Sequence, residues 1–127
     1  MANAVIFSDI MAHLVTRVTA KLVAEGFTTT RVGILADSSA SQVILRRDGG
    51  SRRSKTIMTD SIGVNVYASS YANAETLARN VMAVFDDLPD GNPIVDVIPE
   101  SSIQDVTDLK AERRFMRFAV DHRGTNL

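Results

Sequence analysis

The chain has 127 residues, 45% of them apolar and 23% charged, and its fourteen basic and fifteen acidic side chains leave a net charge of −1 at neutral pH. Such a composition fits one globular domain with its own core and excludes the disordered and fibrous classes, while a pI near 6.1 is wrong for a dedicated nucleic-acid binder. The absence of cysteine excludes a disulfide framework and a thiolate metal site.

Residues 1–7 are short, lack a basic region and are not expected to be a signal peptide. No apolar run approaches the roughly 18 residues of a membrane span. A soluble protein made in a cytoplasm is expected.

From 7 to 22 the apolar Phe7, Ile10, Met11, Leu14, Val18 and Leu22 recur at three- and four-residue steps, which predicts an amphipathic helix. Ser8 or Asp9 is placed to cap its start, and Gly26 to end it in a left-handed conformation. Strands are predicted at 28–35 and 42–47, separated by the turn-like Asp37, Ser38 and Ser39. The triplet Asp48-Gly49-Gly50 predicts a hairpin break, with a return strand over 56–68 in which Ile62, Val64, Val66 and Ala68 alternate with polar or small residues.

A second helix is predicted from about Ser70 to Leu88, with Ala74, Leu77, Ala78, Val81, Phe85 and Leu88 on one face and Pro89 closing it. Strand 94–98 follows, then a polar stretch over 99–112 that reads as a mobile loop able to order on assembly. The last strand is predicted at 113–122, with Met116, Phe118 and Val120 facing one way and Arg117, Ala119 and Asp121 the other, before a short tail. Thr125 to Leu127 in that tail are a second candidate for ordering on assembly, against a default of terminal fraying. The order α-β-β-β-α-β-β lacks strict alternation, so the expected fold is α+β: one domain over 1–127, with a mixed or antiparallel sheet of about five strands covered by two helices.

Charge is sorted along the chain. Residues 46–55 hold five of the fourteen basic side chains, Arg46, Arg47, Arg52, Arg53 and Lys55, whereas 86–108 holds seven acids and no base. If these segments fold apart, the molecule has unlike flanks and can stack head to tail with its copies. The basic segment has three open readings: a solvated hairpin tip, a contact to an acidic partner through arginine's bidentate fork, or a nucleic-acid contact lacking aromatic interleaving. From charge alone, Arg46, Arg47, Arg52, Arg53 and Lys55 are assigned as interface or lumen residues, with Asp86, Asp87, Asp90, Asp105 and Asp108 on the complementary side.

Catalytic and metal chemistry find little to work with. His13 and His122 are the only histidines and read as partly exposed, so a zinc site would need carboxylates from elsewhere. Asp86, Asp87, Asp90, Gly91 and Asn92 miss calcium-loop spacing, because Pro89 interrupts them and position twelve is Val97. Gly49-Gly50 lacks the Gly-Lys-Ser/Thr of a P-loop, and no Gly-x-Ser-x-Gly elbow occurs. No catalytic, cofactor or metal residue is assigned, and no enzyme activity is expected.

The stretches Val43-Ile44-Leu45-Arg46-Arg47-Asp48-Gly49-Gly50, Gly63-Val64-Asn65-Val66-Tyr67-Ala68 leading into Ala74-Glu75-Thr76-Leu77-Ala78, and Phe118-Ala119-Val120-Asp121-His122-Arg123-Gly124-Thr125-Asn126-Leu127 carry a resemblance through their order and spacing. Together they resemble the tail terminator proteins of long-tailed bacteriophages (siphoviruses), nearest to those of actinobacterial phages. The resemblance covers most of the chain and is weakest over 99–112. It implies a small α+β virion subunit that forms a hexameric ring at the head-proximal end of the tail tube and stops tube polymerisation. It also implies contacts with its own copies, the tail tube protein and a head completion or connector protein, with DNA passing through the lumen without specific binding and with no cofactor or membrane. A head completion, connector or other minor tail protein of the same particle is the alternative left open. A small cytoplasmic enzyme or nucleic-acid-binding domain is the third reading.

Overall fold

A computed structural model describes residues 4–108 and 110–126. The elements run β1 (Val5–Ile6), α1 (Ile10–Ala24), β2 (Arg31–Gly33), β3 (Gln42–Arg52), β4 (Ile57–Ala68), α2 (Tyr71–Asp86), β5 (Ile94–Pro99), β6 (Gln104–Val106), β7 (Glu112–Arg123) and β8 (Thr125–Asn126). The fold is α+β as expected: the main sheet has the order β2-β3-β4-β7-β5, with β6 continuing beside β7 after β5. β2 lies parallel to β3, and every other pairing is antiparallel.

Each helix is fixed by its ends. The Asp9 carboxylate accepts the Met11 and Ala12 amides at 3.1 and 3.2 Å, satisfying donors that the first turn of α1 leaves without partners. At the other end Gly26 takes φ +97°, so Phe27 N–H reaches the Leu22 carbonyl at 2.9 Å and Gly26 N–H the Val23 carbonyl at 3.0 Å, a Schellman closure that favours glycine. α2 starts on Ser70, whose hydroxyl accepts the Asn73 amide at 3.2 Å.

Both helices pack on one face of the sheet. Ile10, Leu14, Val18 and Leu22 from α1 and Leu77, Val81 and Phe85 from α2 close over Val43, Leu45, Ile62, Val64, Val66, Met116, Phe118 and Val120, all 2% exposed or less. Phe85 stacks on Phe118 with centroids 4.4 Å apart and planes 8° from parallel. The alternation in β4 and β7 therefore faces as predicted. The opposite face carries no helix among the described residues; it is covered by its own side chains, where Arg113 lies over Tyr67 and Arg117 over Phe115, each 5.5 Å from the ring centroid.

Four expectations need correction. Asp48-Gly49-Gly50 does not end the strand: β3 continues to Arg52, Asp48 and Gly49 form a bulge opposite Ser61 between the Arg47 and Gly50 pairs, and the turn lies at 53–56. Gly49 has φ +120°, and a side chain on Gly50 would sit 2.1 Å from the Thr59 carbonyl oxygen, so the partner strand runs too close for a Cβ. The stretch 99–112 is not wholly loop, because β6 pairs with β7 through Gln104↔Phe115 and Val106↔Arg113. In the tail, Ile6↔Thr125 pairing makes a separate two-stranded sheet of β1 and β8; Leu127 lies outside the described residues. Finally, the strand expected over 28–35 is only Arg31–Gly33.

The two outer strands are blunted. At β2 the Arg31 guanidinium folds over Gly33, donates to the Leu35 carbonyl at 2.8 Å and pairs with Asp37 at 3.0 Å. β5 is bounded by Pro93 and Pro99 and has an irregular register between Ile94 and Asp96.

Candidate assembly interface

The β3–β4 hairpin carries the five basic residues, which the fold separates into held and free. Arg46 pairs with Asp48 at 2.5 Å, and Asp48 also accepts from Arg117 at 3.1 Å. The hydrogen bond from Arg46 holds the Asp48 carboxyl below the ordinary value of 3.8, with the Arg117 charge adding to it and burial opposing. Gly63 makes room for this cluster, since a Cβ there would lie 2.6 Å from the Asp48 Oδ2. Arg53 pairs with Asp121 at 2.7 Å, and Thr59 donates to the other Asp121 oxygen at 2.5 Å. Arg52 donates to the Ser54 and Lys55 carbonyls at 3.2 and 2.8 Å. Among the described residues Arg47 and Lys55, both exposed, form no ion pair.

The acidic segment is divided between two ends of the sheet. Asp87 pairs with Lys21 at 2.7 Å, Asp90 faces Arg17 at 3.5 Å and His13 at 3.8 Å, and Asp86 is exposed at the end of α2. This is the hairpin's own end: Ile57 pairs with Arg123, whose amide donates to the Pro93 carbonyl at 2.8 Å. Asp105 lies beside Arg114 at 3.0 Å, and Asp108 caps the Lys110 amide at 2.9 Å. Strand β7 runs between the groups, and at about 3.3 Å per residue the nine positions from Arg113 to His122 separate them by roughly 30 Å. The segments thus do not fold apart as expected: Asp86, Asp87 and Asp90 lie at the basic hairpin's own end of the sheet, and Asp105 and Asp108 lie at the far end.

Two polar centres were not assigned from the sequence. Arg114 is 1% exposed, under Tyr71, and its guanidinium meets Glu75, Asp105 and Glu112 at 2.8, 3.0 and 3.2 Å. The bond to Glu75 raises the Arg114 pKa against the effect of burial, and the same bond holds Glu75 below its ordinary value of 4.5. The other centre is His122, expected to be partly exposed but 1% exposed in the fold, with Nε2 2.7 Å from the Asp60 carboxylate. Its position follows from the period of two: Met116, Phe118 and Val120 face the helices, and so does His122.

Among the described residues no three histidines or carboxylates converge as a metal site. No helix there is long and apolar enough to cross a membrane. A cleft of about 520 Å³ lies between the β2–β3 loop and Asp108, Lys110 and Ala111, and is also lined by Asp37, Gln42, Tyr67 and small residues. The arrangement offers exposed charge on rigid elements, which suits binding.

No protein-family model and no curated protein matches the chain. Among solved structures, the fold is similar to a chain from the virion of a native gene transfer agent (GTA) particle, with a TM-score of 0.61 and 16% sequence identity, over 92% of this chain and 98% of that one. At that identity the likeness concerns the fold.

Proposed function

We propose that this protein is a structural virion protein, a tail terminator that forms a ring, most simply a hexamer, at the head-proximal end of a phage tail tube. The observation that carries the reading is mutual whole-chain coverage with a virion chain, 92% and 98%, in a sequence whose ordered stretches resemble tail terminators. Termination is then a binding event: the ring occupies the growing end of the tube, and its other face accepts the head completion or connector protein. Closed rings need heterologous contacts, one patch meeting a different patch on the neighbour. The β3–β4 hairpin, with Arg46, Arg47, Arg52, Arg53 and Lys55, and the carboxylates Asp86, Asp87, Asp90, Asp105 and Asp108 are the proposed interface or lumen residues. DNA passes through the lumen without specific binding, and no cofactor or turnover takes part.

Electron microscopy of particles assembled without this protein tests the reading. Overlong tail tubes are expected. Normal-length tails detached from heads would instead assign the protein to head completion.

A further inference from the structure

Phe7 connects two regions that are otherwise far apart in sequence. Its ring meets His122 edge-on, with centroids 5.6 Å apart and planes at 83°, and so covers the buried pair that His122 makes with Asp60. The Arg52 guanidinium lies 5.5 Å from the centroid of the same ring. From there Arg52 donates to the Ser54 and Lys55 carbonyls, the first half of the turn that ends the hairpin. Phe7 itself is anchored by β1, where Val5 pairs with Asn126 and Ile6 with Thr125. The fit is close: a side chain at Gly124 would stand 2.3 Å from the Val5 Cγ1.

We infer that β1 and Phe7 form a strap that sets the pose of the basic turn, with Phe7 a positioning residue acting through Arg52. The second half of the turn is tied down, with the Thr56 amide on the Ser54 hydroxyl at 3.3 Å and the Thr56 carbonyl accepting the Gly124 amide at 3.0 Å. The Arg53 and Ser54 amides share the Ile57 carbonyl at 3.0 and 3.1 Å, and the Ile57 amide reaches the Ser54 hydroxyl at 3.1 Å. On the opposite face Arg53 and Thr59 hold Asp121, which fixes the start of the turn but not the Ser54 and Lys55 carbonyls. Arginine's planar fork reaches both carbonyls from one rotamer, and an aromatic face beneath the guanidinium selects that rotamer from the many open to an exposed side chain. Lys55, exposed and with no ionic partner among the described residues, is then displayed in one fixed direction. The strap acts on the turn whether or not copies of the chain close into a ring.

Amide hydrogen exchange on the full chain tests this. Phe7→Leu keeps an apolar side chain against His122 but gives Arg52 no ring, so the Arg53, Ser54 and Ile57 amides are expected to exchange about two- to fivefold faster, the range of an exposed cation–π contact. Val64 and Val66 in the core should keep their wild-type rates, and Phe7→Tyr should restore the turn. Arg52→Gln, a change on an exposed side chain, should loosen the turn at least as much, and adding Phe7→Leu to it should do nothing further. Wild-type turn rates in Phe7→Leu would overturn the inference. So would acceleration shared equally by Val64 and Val66, or additive effects in the double variant.

Discussion

Arg114→Ala is expected to cost about 3 kcal/mol of folding stability. Removing one member of a buried ion pair typically costs about 3–5 kcal/mol, because the charge left behind has no partner and no water. Here the carboxylates left behind are better hydrated than that case assumes: the side chains of Glu75, Glu112 and Asp105 are 25%, 43% and 70% exposed. That argues for the low end of the range. The truncation also removes a buried aliphatic stem, so Arg114→Met should recover about 1–2 kcal/mol of the loss. Urea unfolding followed by circular dichroism measures both, and for a domain of this size 3 kcal/mol lowers the melting temperature by roughly 10–15 °C. A loss below about 1 kcal/mol for Arg114→Ala, the value of an exposed ion pair, would refute the reasoning that this guanidinium is the anchor of β6 and α2.

The same centre predicts a pH dependence. Because Arg114 lowers the Glu75 pKa on folding, its contribution is complete above the ordinary value of 4.5 and is lost as pH falls through the folded-state value. Acid titration of stability should therefore be shallower in Arg114→Met than in the wild type. Gly50→Ala, whose methyl would meet the Thr59 carbonyl oxygen at 2.1 Å, should cost about 1–3 kcal/mol and speed amide exchange over 48–60 while α2 keeps its protection. Phe118→Ala, at the centre of the core and stacked on Phe85, should cost about 3–5 kcal/mol by thermal unfolding.

Periodicity made the layers legible. The apolar steps of the two helices and the alternation at Ile62, Val64 and Val66 named the buried faces because burial on one side of an element imposes its period on the sequence. The bulge was harder to see, since Asp48-Gly49-Gly50 satisfies a turn as well as it satisfies an irregular strand, and only the partner strand's distance decides. β6 is three residues long, too short for any period, and its Asp105 meets Arg114 nine residues on, on the next strand. The proposed interface residues were visible as charge, but not their pairing. Arg46 finds Asp48 two residues away, whereas Arg53 finds Asp121 sixty-eight residues on, a distance that no local pattern encodes.

The blunted outer strands restrict how copies of this chain can meet. Arg31 closes one margin of the sheet, and two prolines with a displaced register close the other, so neither presents the regular row of amides and carbonyls on which another chain could template itself. In the proposed ring, neighbours would therefore recognise one another through side chains rather than by adding strands to the sheet. The same blunted margins guard the folded chain against strand-on-strand aggregation.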